Sequence, residues 1–304
     1  MRTHSLLASL RACAAIVAAA SIAPAFAAAI PEAPSQGGDE LRAKYTELRP
    51  SLERNQFGRP VHLDSTESGG QLQGEVHALL AHPFAKVRDG LASARNWCDI
   101  LTLPFNVKRC EATGGDSIAL HIGRTRDTPL SQCVRIDFHY AAVVVSDDLL
   151  KLQLEAPNGP LGTKNYRIVL DAVPLDAGRT FMHMSYGYGY GTVSKLAMQA
   201  YLSTSGASKV GFSSEGEDAQ GKPRLVGGMR GVLERNTMRY FLAIDAYLNT
   251  LSIPADERQQ KRLLEWFDAA DRYPRQLHEM TREEYVGMKT RDLAASQQRV
   301  ASGS

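Results

Sequence analysis

The chemistry this sequence offers is concentrated in the tyrosines and methionines at positions 182–190 and in one asparagine, Asn236. Met182, Met184, Tyr186, Tyr188 and Tyr190 alternate with other residues, so a strand would place all five on one face. Gly187, Gly189 and Gly191 then fall on the opposite face, where glycines imply a close backbone approach or a sharp bend. A broad apolar surface with hydroxyls at intervals is either ordinary core or one wall of a small-molecule cavity. Asn236 interrupts the apolar side of a helical pattern, and a buried amide must find partners. The sheet, a trapped water or the polar group of a ligand could serve. His77, His139 and His183 all sit in strand patterns, where isolated histidines are ordinarily satisfied core or surface residues. Asp137 and His139 share a strand face and could pair, though a surface contact is the plainer reading. There is no GxSxG elbow, no HExxH and no phosphate-binding glycine loop. The alternation at 187–191 is no dinucleotide fingerprint, and no CxxC or Cys/His spacing points to zinc.

The elements that must position these residues follow from periodicity. Between 226 and 251, Met229, Leu233, Asn236, Tyr240, Ile244, Tyr247 and Leu251 recur every three or four residues, which lines one side of a long helix. Arg230, Glu234, Arg235, Arg239 and Asp245 fall on its other side, as a solvated face would. Gly227 and Gly228 precede it and Pro254 follows it. Upstream, period-two alternation marks strands at 72–80, 106–112, 117–122, 134–145, 150–154, 166–170 and 179–191. Another strand starts at 59–63. Helical patterns cover 39–55, 83–97 and 192–201, and after Pro254 cover 257–268 and 281–292, ahead of a frayed Ser/Gln/Ala end. A long amphipathic helix that follows antiparallel strands must bury its stripe on their sheet.

The first residues are not fold. Arg2 and Arg11 precede the apolar run 14–20, and Ala25-Phe26-Ala27 has the small-x-small form of a cleavage site, so residues 1–27 read as an export signal. A lipoprotein reading on Cys13 fits poorly, because the apolar run follows that cysteine instead of preceding it. Removing the leader takes the formal charge from +2 to zero, with 33 basic and 33 acidic residues left. A neutral chain gives no electrostatic ground for binding nucleic acid. Cys98, Cys110 and Cys133 remain, and an oxidising compartment favours one disulfide and one free thiol. Cys98 and Cys110 are closest in sequence, but the pairing is open at this level.

The order of elements resembles a known superfamily. A strand ending near Leu80, the segment HPFAKVRDGL opened by Pro83, Trp97, a run of antiparallel strands and a long closing helix are similar to START-like, helix-grip proteins. That group includes the polyketide cyclase/aromatase-like and lipid-transfer-like proteins. The resemblance covers about residues 70–251. It implies an α+β fold in which a curved antiparallel β-sheet wraps around a long C-terminal α-helix, with an apolar cavity between them. The resulting organisation is a signal peptide (1–27), a linker with an N-terminal helix (28–58), a helix-grip domain (59–253) and a C-terminal helical extension (254–304). The residues expected to line the cavity are Met184, Tyr186, Tyr188, Met229, Leu233, Asn236, Tyr240 and Ile244. The expected partner is a hydrophobic small molecule or lipid, with transient contact at a membrane and with no nucleic acid, cofactor or metal. The leading reading is a periplasmic, non-enzymatic carrier. Its rivals are a cyclase/aromatase-like enzyme and an envelope protein whose interior is filled by its own side chains.

Overall fold

The computed structural model describes residues 37–203 and 208–302, with only the backbone at 201 and 297–302, and the expected leader lies outside these residues. Its centre is one antiparallel sheet of eight strands. These are β1 (Val61–Ser68), β2 (Gln71–Leu80), β3 (Val107–Ala112), β4 (Ser117–Ile122), β5 (Val134–Val145), β6 (Leu150–Asn158), β7 (Lys164–Pro174) and β8 (Thr180–Gly189). Their order is β1-β2-β8-β7-β6-β5-β4-β3. The chain therefore leaves β2, starts again at the far edge, and meanders back until β8 pairs with β2. Gly69 and Gly70, at φ +57° and +77°, turn the first hairpin in a conformation that side chains with a Cβ rarely adopt. Register shifts in β3, β5 and β7 bend the strands.

Four α-helices precede the long one. The first, α1 (Gly38–Glu53), packs through Leu41, Leu48 and Leu52 on Val173 and Phe181 of the sheet's outer face. The pattern at 83–97 resolves into two short helices, α2 (Phe84–Leu91) and α3 (Ala94–Leu101), because Ser93 is extended, with φ −144° and ψ 129°. Cys98 of α3 and Cys110 of β3 form a disulfide with Cα atoms 5.3 Å apart, and Cys133 is free. After β8 come α4 (Thr192–Leu202) and a small ribbon of β9 (Ser214–Glu217) with β10 (Pro223–Leu225).

The long helix, α5 (Gly228–Asn249), lies against β1, β2 and β8 on the sheet's inner face. Its closest approach is at Gly74, where any Cβ would collide with Thr237. This arrangement is the helix-grip fold. One expectation for α5 fails. Glu234, Arg235 and Arg239 do not face solvent but are buried. The Glu234 carboxylate accepts bonds from the backbone N–H groups of Phe212 (2.6 Å) and Ser213 (2.9 Å) and from the Ser65 hydroxyl, which ties the 209–214 segment down over the helix. Charged residues therefore mark this side as a second interface, not a wet one.

That interface is completed by α6 (Ala255–Asp271), the short α7 (Pro274–Leu277) and α8 (Arg282–Ser302), which is helical where a frayed end was expected. Arg262 of α6 is fully buried. It lies 4.4 Å over the Tyr247 ring and donates to Asp99 (2.9 Å) and Thr250 Oγ1 (3.1 Å). Among the described residues no helix is long and apolar enough to cross a membrane.

Candidate functional site

Strand alternation gives the sheet's inner face an almost unbroken apolar surface. Leu72, Val76 and Ala78 of β2 sit beside Met182 and Met184 of β8, all fully buried. Over most of its length α5 packs on that surface, with Leu233, Ile244 and Leu248 completely buried. Around the turn containing Asn236 and Tyr240 it does not, and a pocket of about 100 Å³ remains. Tyr186 of β8, Tyr166 of β7 and Phe138 with Ile136 of β5 form its floor. Ile122, Pro104, Asn106 and Pro160 close its sides, and Asn236, Arg239 and Tyr240 form its roof.

The eight residues expected to line a cavity separate into two groups. Tyr186, Asn236 and Tyr240 are on the pocket wall. Met184, Leu233 and Ile244 are completely buried in the packed core instead, and Met229 packs into that core near the start of the helix. Tyr188 stands behind the wall, its ring stacked 5.0 Å from that of Tyr166. The stripe on α5 is thus core along most of the helix and pocket over a single turn. Sequence reasoning missed Arg239, which falls on the supposed wet side, and the β4, β5 and β7 residues. Alternation in β5 carried a usable signal: Ile136, Phe138 and Tyr140 share the inner face.

The pocket's polar groups are Asn106, Asn236, Arg239 and the hydroxyls of Tyr166, Tyr186 and Tyr240, and several are held by neighbours. Asn236 Oδ1 accepts from Arg239 Nη1 at 3.1 Å, and Arg239 Nη2 donates to Glu279 at 2.6 Å. Phe105 supports the guanidinium at 5.4 Å, and Trp266 Nε1 donates to the Arg239 carbonyl. Arg239 Nε has no partner. The Tyr166 hydroxyl lies 2.8 Å from Thr163 Oγ1, and Tyr186 meets Tyr240 edge-on at 5.0 Å. Gly159 permits this packing, because a Cβ there would overlap the Tyr166 ring.

Burial raises the hydroxyls of Tyr166 and Tyr186 above the ordinary tyrosine value and that of Tyr240 to about 12. They stay protonated and neutral. The wall holds no carboxylate, imidazole or amine. It can therefore bind an apolar chain end and offer hydrogen bonds, but it presents no group ready to take a proton at neutral pH.

A larger groove, about 690 Å³, opens elsewhere, between the C-terminal half of α1 and residues 58–60. Leu52, Tyr45 and Leu79 lie in it beside Arg49, Arg59 and Arg179. Each guanidinium is already matched, to Glu53, Asp245 and Asp176 respectively. The groove is an open crease with its charges spent, whereas the small pocket is shielded by a helix, and shielding from water is what an apolar guest needs.

No family model and no curated protein matches the chain. Among solved structures it is similar to a conserved protein from Geobacillus kaustophilus, at 14% identity over 58% of this chain and 95% of that one, with a TM-score of 0.34. It is also similar to a norcoclaurine synthase point mutant from Thalictrum flavum, at 14% identity, 47% and 90% coverage and a TM-score of 0.33. Ara h 8.0201 shows 12% identity, 47% and 91% coverage and a TM-score of 0.30. The helix-grip architecture of this chain stands on its own strand order and register.

Proposed function

We propose that this is an exported, START-like protein that binds a hydrophobic small molecule beneath α5, without catalysing a reaction on it. The observation that carries the reading is the pocket under Asn236 and Tyr240, shielded by the helix, walled by rings and aliphatics, and equipped with neutral hydroxyls. Its size sets the guest. A cavity of about 150 Å³ holds one benzene ring, so about 100 Å³ is short of a ring and takes the end of an aliphatic chain. A lipid enters by its tail or displaces Tyr166. Carrying such a guest between two membranes requires shielding, since each exposed methylene costs about 0.8 kcal/mol. Export is supported by the leader pattern and by the Cys98–Cys110 disulfide, which persists in oxidising compartments.

Native mass spectrometry of the protein purified from the envelope fraction, with organic extraction of anything bound, tests this reading. A co-purifying apolar molecule that raises the melting temperature when added back is the expected result. An empty protein whose melting temperature moves with no lipid class or aromatic compound overturns it.

A cyclase/aromatase-like enzyme is the second reading, favoured by the tyrosine hydroxyls, Asn236 and Arg239 lining one pocket. Catalysis there would consist of holding a substrate in a reactive shape. Turnover abolished by Asn236→Ala, with binding retained, selects it.

A further inference from the structure

The outer face of the sheet carries a row of polar residues that the pocket does not use. In register across neighbouring strands stand His62 of β1, His77 of β2, His183 of β8 and Asp171 of β7. Beneath α1 this row is interior: His77 is 3% exposed, His183 2% and Asp171 not at all. Neither ring nitrogen of His77, neither of His183 and neither oxygen of Asp171 has a hydrogen-bond partner. The nearest approaches are His183 Nδ1 to Asp171 at 3.6 Å and His183 Nε2 to Glu75 at 3.9 Å. Buried polar groups are ordinarily paired, so six orphaned atoms in one row call for a function. They do not converge on a metal: among the described residues no three His, Cys, Asp or Glu side chains are placed to hold one. A proton is the ligand that fits.

We propose that α1 is an acid-released clasp, seated on the outer face of the sheet only while the His77 imidazole is uncharged. The His77 ring stacks on His183 at 4.6 Å and lies 6.0 Å from Phe181, which in turn meets Tyr45 of α1 at 5.2 Å. The charged and titratable groups around it are His183 on β8, His62 and Asp64 on β1, Glu75 on β2, Asp171 on β7, Lys151 one strand beyond, and Lys44 and Tyr45 on α1. The two nearest carboxylates flank His183, and Asp64 is taken by His62 at 2.6 Å. A charge on His77 would thus be buried without an anion of its own and next to like-charged neighbours. Lifting α1 gives that imidazole back to water. Protons therefore favour the lifted state, which bares Val173 and Phe181.

Burial first, then His183, His62 and Lys44, push His77 from 6.5 to about 3. The sign follows from that depression. Closure is complete above pH 6.5 and weakens about tenfold per unit as pH falls towards 3.

Hydrogen exchange on the full chain, corrected for the intrinsic pH dependence, reads this out. Protection of the amides at 41–52 should fall roughly 30-fold between pH 7 and pH 5 while β6 stays protected. His77→Phe keeps the stacked ring and should hold α1 protection within about twofold over that range. Unchanged protection in the wild type, or an undiminished fall in His77→Phe, overturns the proposal. An NMR titration of the His77 ring in the wild type covers a variant that folds poorly. Its proton uptake must coincide with α1 opening, and an imidazole that titrates normally while α1 stays protected also overturns the clasp.

Discussion

On the inner face of β2 and β8 stand Leu72, Val76, Ala78, Met182 and Met184, every one apolar and fully buried. One residue over on the same strands, the outer face carries Glu75, His77, His183 and Ser185, and there too His77 and His183 are sealed from water. Burial is therefore common to both faces, but satisfaction is not. The inner face needs no partners, so its burial contributes stability at any pH. Beneath α1 the outer face hides groups that prefer a proton or a hydrogen bond, so its burial is conditional. A cover over apolar residues is permanent, whereas a cover over unpaired imidazoles can be lifted.

The largest expected effect that would break this contrast lies inside. Leu233→Ala opens a void in a fully packed region and should lower stability by about 3 kcal/mol at any pH, measured by urea unfolding. A loss below about 1 kcal/mol would mean the inner face is not packed as described.

The outer face should respond to pH instead. His77 is held neutral in the fold, with a value of about 3 against 6.5 unfolded, so the stability it permits is whole above pH 6.5 and drains away as pH falls towards 3. Between pH 7 and 5 the wild type should lose about 2 kcal/mol relative to His77→Phe.

Asn236→Leu sharpens the comparison from the pocket side. It leaves Arg239 Nη1 without its acceptor and should cost about 1 kcal/mol, together with most of the affinity for a hydroxylated chain end. The smallest effect belongs at the sheet's rim. Tyr190 is bonded through its hydroxyl to the exposed Glu67, and Tyr190→Phe should change stability by less than about 0.5 kcal/mol.

Much of the architecture was legible because it is periodic. Alternation through 72–80 and 182–190 gave the strands and their faces, and the spacing from Met229 to Tyr247 gave the long helix. What periodicity could not give is the identity of the covering element. Glu234, Arg235 and Arg239 read as a wet face because they are charged, and only the 209–214 segment folding back onto Glu234 reveals them as an interface. The same gap hid the histidines. His77 and His183 read as ordinary core or surface residues, and nothing local announces that α1 lies across them. The candidate pocket was half visible for a related reason. The helix stripe named Asn236 and Tyr240, but where a stripe stops touching its sheet depends on the bulk opposite, here Tyr166, Tyr186 and Phe138.

The central claim is that the space under Asn236 and Tyr240 receives an apolar guest, and 1-butanol, a short chain with one hydroxyl, is sized to test it. Calorimetric titration should give saturable one-to-one binding to the wild type and none to Ile122→Trp, which fills the pocket from its side. No saturable heat with the wild type, or the same heat with both proteins, would contradict the account.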